Sequence, residues 1–194
     1  RSLAILKTDQ ALRCFVIARA LLLSVALAPP FYVLLAQQRS TGVTGLGLMI
    51  IASGLAASLS APFWGRMGDR SSRRVMIIAS AAAGLTGMLT FLIDIAGGTI
   101  INSPWIYALL FLLIAVFHGG VRLGRKVYLV DMANQETRST YVAVSNTVIG
   151  AAMLAGGAVG MLADHFRTSA VLALLGLTSM LAALYISRMP DVSG

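Results

Sequence analysis

The densest group of reactive side chains in the sequence is the ten-residue stretch GRMGDRSSRR, Gly65 to Arg74, with four arginines around one aspartate. Arginines and a carboxylate at such spacing are suited to reversible, charge-assisted hydrogen bonding rather than covalent chemistry. Asp69 can accept from arginines or from a nearby helix N-terminus, and Arg66, Arg70, Arg73 and Arg74 offer donors in several directions. Gly65 lets a neighbouring backbone approach. Elsewhere the polar residues inside apolar runs are few. His118 stands well inside one such run, and Arg122 follows it by four, on the same face of a helix. Neutral imidazole is cheaper to bury than a charge and titrates near neutral pH. Two roles are open to His118: a ligand for solute or proton, or a hydrogen bond between helices. Arg122 can meet an anionic solute or snorkel to the interface, with snorkelling favoured. Tyr32 and Asn146 can offer hydrogen bonds to a solute, or pack between helices. Asp94 is expected to face outside water, with proton coupling as the less favoured alternative, and Arg19 to snorkel inward.

No set of residues suggests catalysis. His118 and His165 fall in different segments, with no Cys or Glu at metal-ligand spacing. There is no phosphate-binding loop for ATP, and glycine-rich GAAMLAGGAVG sits in an apolar helix rather than after a strand. Neither enzyme, metal site nor cofactor is expected. Cys14 is the only cysteine, so no internal disulfide can form.

The elements that position these residues are membrane spans. Of 194 residues 58% are hydrophobic and 11% charged, against about 25% charged in soluble domains. Six runs approach the ~20 apolar residues that cross a bilayer as helix: Phe15–Ala36, Val43–Gly65, Val75–Ala96, Trp105–Val121, Tyr141–Ala163 and Ser169–Ile186. The longest polar connector is read as Arg122 to Thr140. The net charge of +8 sits in short loops between the runs, which excludes a basic face for nucleic acid. Six spans put both termini on one side. All of the 15 Lys and Arg fall on that side except Arg39 and Arg167 opposite and Arg19 inside the first run. Cytoplasmic loops are the ones enriched in Lys and Arg, so both termini are expected in the cytoplasm and the protein in the plasma (inner) membrane. Trp64 and Trp105 are read as interfacial aromatics at opposite faces. Pro29-Pro30 is expected to kink or break the first span. Ala152, Gly156 and Gly160, four apart, are expected to admit a close helix contact. The chain opens on Arg1, and is expected to be a piece of something longer.

GRMGDR (Gly65 to Arg70) has an echo in GMLADH (Gly160 to His165). Each closes an apolar run, the second and the fifth, with Gly-x-x-x-Asp and a basic or potentially basic residue. Asp69 and Asp164 fall on opposite sides of the membrane, as two three-helix repeats of inverted topology require.

The stretch around Asp69 resembles the loop motif of the major facilitator superfamily, through Gly65, Asp69, Arg70, Arg73 and Arg74. Ser72 stands where that family usually has Gly. RCFVIARALLLSVALAPPFYVLLA is similar to the first helix of the family's C-terminal half, and RKVYLVDMANQETR to its fourth-to-fifth connector, through Tyr128, Asp131 and Arg138. The resemblance implies an all-α membrane protein: a single six-helix bundle over residues 1–194, built as two inverted three-helix repeats, forming the C-terminal half of a twelve-helix carrier. It also implies secondary transport of an unknown small solute by alternating access, driven by a proton or solute gradient, with Gly65–Arg74 as a conformational latch on the cytoplasmic side. Its partners are then the lipid bilayer, the solute and an N-terminal half of the same protein. Rival readings are a self-standing six-helix carrier or channel dimer, a sensor or assembly factor that keeps the fold without transport, and a membrane enzyme acting on lipids, for which no convergent catalytic set is present.

Overall fold

The structure, a computed structural model, describes residues 5–39, 42–97 and 102–192. The described residues form α1 (Ile5–Thr8), α2 (Gln10–Leu21), α3 (Leu23–Gln38), α4 (Gly42–Gly68), α5 (Ser72–Ala96), α6 (Pro104–Met132), α7 (Arg138–Gly156), α8 (Ala158–His165) and α9 (Thr168–Ser187). They give six helical segments long and apolar enough to cross a membrane: Gln10–Gln38, Gly42–Gly68, Ser72–Ala96, Pro104–Met132, Arg138–Met161 and Thr168–Ser187. Arg1 lies outside the described residues.

Helix starts follow local chemistry. Asp9 caps α2 by accepting from the Leu12 N–H at 3.0 Å, and Ser71 caps α5 by accepting from the Arg74 N–H at 3.2 Å. Pro104 opens α6, where its missing N–H costs nothing. Gly97, at φ 67°, closes α5 in a backbone conformation that favours glycine.

Three local expectations are corrected. The first span is interrupted at Leu22, while α3 runs unbroken through Pro29 and Pro30. The fourth span does not end at Val121: α6 continues to Met132, so Arg122, Arg125, Lys126 and Asp131 are helical and the connector shrinks to residues 133–137. Hydropathy falls where the charges begin, but the backbone ladder does not stop there, since Arg and Lys are good helix formers. At 1.5 Å per residue α6 is about 43 Å long, more than the ~30 Å hydrocarbon core. Trp64 is not an interfacial aromatic: it is 2% exposed and its indole N–H donates to the Val116 carbonyl at 2.9 Å, whereas Trp105 is 69% exposed.

With lipid as solvent, helices associate through close packing at small residues. The tightest crossing joins α5 to α9. A Cβ on Gly84 would lie 2.7 Å from the Gly176 carbonyl oxygen, and one on Gly87 2.7 Å from that of Leu172. Gly120 makes room for Trp64 between α6 and α4, and Gly124 for Met76 between α6 and α5. The expected Ala152–Gly156–Gly160 contact is only partly present: Gly156 faces Leu27, and Gly160 faces open space.

The helix pairing is that of two exchanged three-helix units. The third span packs on the sixth and the first on the fourth; the second meets the fourth as the fifth meets the first; the third meets the fourth as the sixth meets the first. Exchanging one with four, two with five and three with six maps this set onto itself. In the most apolar stretches of the second and fifth spans only 22% and 17% of residues are buried. These two helices carry the uncovered face of the bundle. Asp69 lies in the turn just after α4 and Asp164 in the last turn of α8, so the two aspartates of the echo do occupy matching helix ends. The Asp164 side chain lies outside the described residues.

Candidate functional site

A cavity of about 670 Å³ opens between α4 and α6, with Pro29 of α3 in its lining. Ser53, Ala57, Ser60 and Ala61 form the α4 wall, and Phe111, Ala115, His118, Gly119, Arg122 and Lys126 the α6 wall. His118 is the central residue of α6 and half-buried. Arg122 and Lys126 follow at steps of four, so the three cationic or titratable groups line one face over about 12 Å. Arg122 thus lines the cavity as well as lying toward the basic end of the bundle, where α2 starts and α4, α6 and α9 end. Sequence reasoning placed His118 and Arg122 together, but missed Lys126 because the helix was ended too early.

Arg19 and Arg125 do not line the cavity but are close enough to feel each other's charge, and Arg122 and Arg125 act in the same way on His118. Arg19 does not snorkel free. It donates to the Ser145 hydroxyl at 2.5 Å and to the Asn146 side-chain carbonyl at 2.9 Å, tying α2 to α7. Asn146 is therefore occupied by an arginine in this structure. The Arg19 Nε is buried without a hydrogen-bond partner among the described residues. Tyr32 is fully buried among α3, α5 and α9, with its hydroxyl 3.5 Å from Thr90 Oγ1; it lies in the core, away from the cavity.

At the opposite end Asp94 is 6% exposed, which corrects its expected exposure to water. Its carboxylate pairs with Arg39, accepts from the Ser169 hydroxyl at 2.6 Å and lies 3.9 Å from Arg167. Arg39 and Arg167, the two Lys or Arg at that end among the described residues, both converge on it. A charge at a helix end is tolerated when its oxygens are satisfied in this way.

The Gly65–Arg74 loop divides into two parts. Asp69 and Arg70 are exposed in the turn, as is Arg74 on α5, and the Asp69 side chain makes no hydrogen bond or ion pair among the described residues. Gly65 faces open space; the close approach comes at Gly68, where a Cβ would lie 2.9 Å from Leu123 Cδ2. The second part binds the segment after α9. Ser71 donates to Asp191 at 2.7 Å, and Arg73 donates to the Met189 carbonyl at 2.7 Å and lies 3.6 Å from Asp191. Tyr128 donates to the Pro190 carbonyl at 3.0 Å and stacks on Phe15 at 5.7 Å. In the connector, Asp131 is exposed and Arg138 reaches back to the Val130 carbonyl at 3.5 Å. Asp9 ties the same end together. Besides capping α2 it accepts from the Tyr141 hydroxyl. The Leu12 N–H, and then that hydroxyl, hold its carboxyl below the usual carboxylate range. Among the described residues no three His, Cys, Asp or Glu side chains gather as a metal site.

Among known proteins, this chain is similar to multidrug resistance protein MdtG of Klebsiella pneumoniae, with 27% identity over 175 residues, 83% of this chain and 39% of that protein. The proteins of the same name in Escherichia fergusonii and Salmonella arizonae are 26% and 27% identical, over 80% of this chain and 36% and 37% of theirs. The chain thus spans about two fifths of the length of these relatives. No solved structure matches it. The profile of the Major Facilitator Superfamily matches residues 14–193, nearly the whole of a chain already found to be six apolar helices in exchanged threes. The chain is a multi-pass membrane protein and belongs to the Major Facilitator Superfamily.

Proposed function

We propose that this chain is the C-terminal six-helix half of a secondary active carrier, and that it moves a small solute by alternating access. The observation that carries this reading is the cavity between α4 and α6, with His118 at the middle of its helix. Carriers of inverted-repeat design bind near the bilayer midplane, at the face between repeats or halves. The poorly buried second and fifth spans offer that face to an N-terminal half of the same protein. A solute or proton gradient supplies the energy. The basic end is cytoplasmic, and the membrane is the plasma (inner) membrane. The named relatives make drug export the first activity to assay.

Gly65–Arg74 acts as the latch. Ser71 and Arg73 anchor the loop to residues 189–191 of its own half, which leaves Asp69 and Arg70 to engage a partner across the cytoplasmic mouth. A carrier alternates between two packings of similar free energy, so a contact made in only one of them shifts the balance. The full-length protein in proteoliposomes, with a proton or solute gradient imposed, tests the reading. Gradient-dependent flux of at least one solute, lost in His118→Ala with normal insertion, is expected. A well-folded protein that passes no solute in either direction would leave the reading without support.

A further inference from the structure

We infer that the cavity between α4 and α6 selects an organic anion, with its charged head on Arg122 between His118 and Lys126 and its apolar body against Phe111, Ala115 and Ala57. This rests on the carrier reading and names the solute class for the same site.

The charge inventory comes first. His118, Arg122 and Lys126 line the cavity; Arg125 lies within electrostatic reach of His118, and Arg19 within that of Arg125. Among the described residues the ion pairs join Asp94 to Arg39 and Arg167 and Asp191 to Arg73, and none involves His118, Arg122 or Lys126. Arg19 is held by a hydroxyl and an amide, neutral acceptors that leave its charge uncompensated. Cations gathered beside a low-dielectric wall repel one another, and a bound anion relieves that repulsion.

Geometry comes second. The stripe at steps of four begins at the centre of α6 and rises toward the basic end, so the potential draws an anion along the cavity to the middle of the helix. The guanidinium fork of Arg122 suits a carboxylate or phosphonate, which it can bind through two parallel bonds. Topology alone accounts for basic residues at a helix end. It does not account for His118 in mid-helix, nor for Arg19 turned inward onto α7.

The shape of the cavity comes third. Apart from the stripe and the hydroxyls of Ser53 and Ser60, its walls are glycine, alanine, proline, leucine, valine and aromatic. A small hydrophilic ion would leave that surface bare, whereas an amphipathic anion covers it. A lipid headgroup carries the same chemistry, but the proposal is a free anion taken from water.

The test is binding to the full-length protein in phosphatidylcholine nanodiscs, by calorimetry, with 4-phenylbutyrate and its cationic counterpart 4-phenylbutylamine. Phenylbutyrate is expected to bind and the amine not to. Arg122→Gln should weaken binding about tenfold or more and Arg122→Lys much less, as loss of a charged hydrogen bond predicts. Lys126→Gln, at the cavity rim, should weaken it by a smaller factor. Equal binding of both probes overturns the inference. So does unchanged affinity in a folded Arg122→Gln, or a site that responds only to added phosphatidylglycerol. Absence of phenylbutyrate binding together with a lower melting temperature in Arg122→Gln also overturns it, since the cations then pair with carboxylates of the other half. Flux read alongside separates the two readings. Anion binding without flux of any solute defeats the carrier and keeps the anion site; flux of neutral or cationic solutes that phenylbutyrate does not inhibit does the reverse.

Discussion

Asp94 and Asp69 are both aspartates at helix ends, and their surroundings give them opposite expected behaviour. Asp94 is buried under Arg39, Arg167 and Ser169. Asp94→Ala leaves the Ser169 hydroxyl and the Arg39 guanidinium without their acceptor and should lower stability by about 1–3 kcal/mol, discounted toward the lower figure because the Arg39 side chain is 33% exposed. Thermal unfolding of the full-length protein in detergent is the check, and Asp94→Asn, which can still accept from Ser169, should fall between. Among the described residues the Asp69 side chain has no partner. Asp69→Asn should therefore leave the melting temperature unchanged while slowing transport by at least about fivefold, the lower end of ordinary coupling between sites. It should also raise the accessibility of a cysteine placed at the mouth of the basic end. Unchanged flux and accessibility in inserted protein would reduce the loop to a topology signal. Asp9 supplies a pH signature. Its carboxyl is held below the usual carboxylate range, so its contribution is complete above the value of a free carboxyl and is lost only as pH falls through the lower folded value. The α2–α7 junction should thus resist mild acid. Asp9→Asn, which also caps helices, should retain more of the junction than Asp9→Ala in hydrogen exchange at Leu12.

At the scale of elements, the glycines separate into those that set a crossing and those that do not. Gly84 and Gly176 bring α5 and α9 into backbone contact. Gly84→Ala places a methyl 2.5 Å from Met180 Cγ and 2.7 Å from the Gly176 carbonyl oxygen, and should cost about 1–3 kcal/mol through overpacking. Gly160→Ala meets nothing within 4 Å and should be neutral or stabilising by up to about 1 kcal/mol through helix propensity. Unfolding midpoints of the two variants in one detergent decide the contrast, and a Gly160 variant as damaged as the Gly84 variant would falsify it. The sequence spacing pointed to Gly160 rather than Gly84. A small-residue stripe records that close approach is possible on one face; which partner arrives there depends on how six helices pack together.

At the scale of the whole molecule, the claim open to direct measurement is orientation. The residue 133–137 connector and the Gly65–Arg74 loop share the basic end, and Phe166, 61% exposed between α8 and α9, marks the other. With single cysteines at Glu136 and Phe166 in a cysteine-free full-length background, an impermeant thiol reagent on intact cells should label position 166 and spare 136. Permeabilised cells should show both. The reverse pattern would place the termini outside and the cation stripe at the outer mouth.

The sequence by itself determined the class, the six spans, the charge asymmetry and the family resemblance. Each depends on quantities that add along the chain: apolar length against bilayer thickness, cations counted by loop, and motif spacing. It also determined that His118 and Arg122 share a helix face, because that follows from 3.6 residues per turn. Tertiary structure alone decided whether a polar residue would be solvated, paired or left for a solute. Asp94 became buried because Arg39 and Arg167 arrive from other helices. Tyr32 became core because α5 and α9 close over it, and Asn146 became a partner of Arg19 across 127 positions of sequence. Partnership is a property of helices brought together from distant parts of the chain, and no local pattern encodes it.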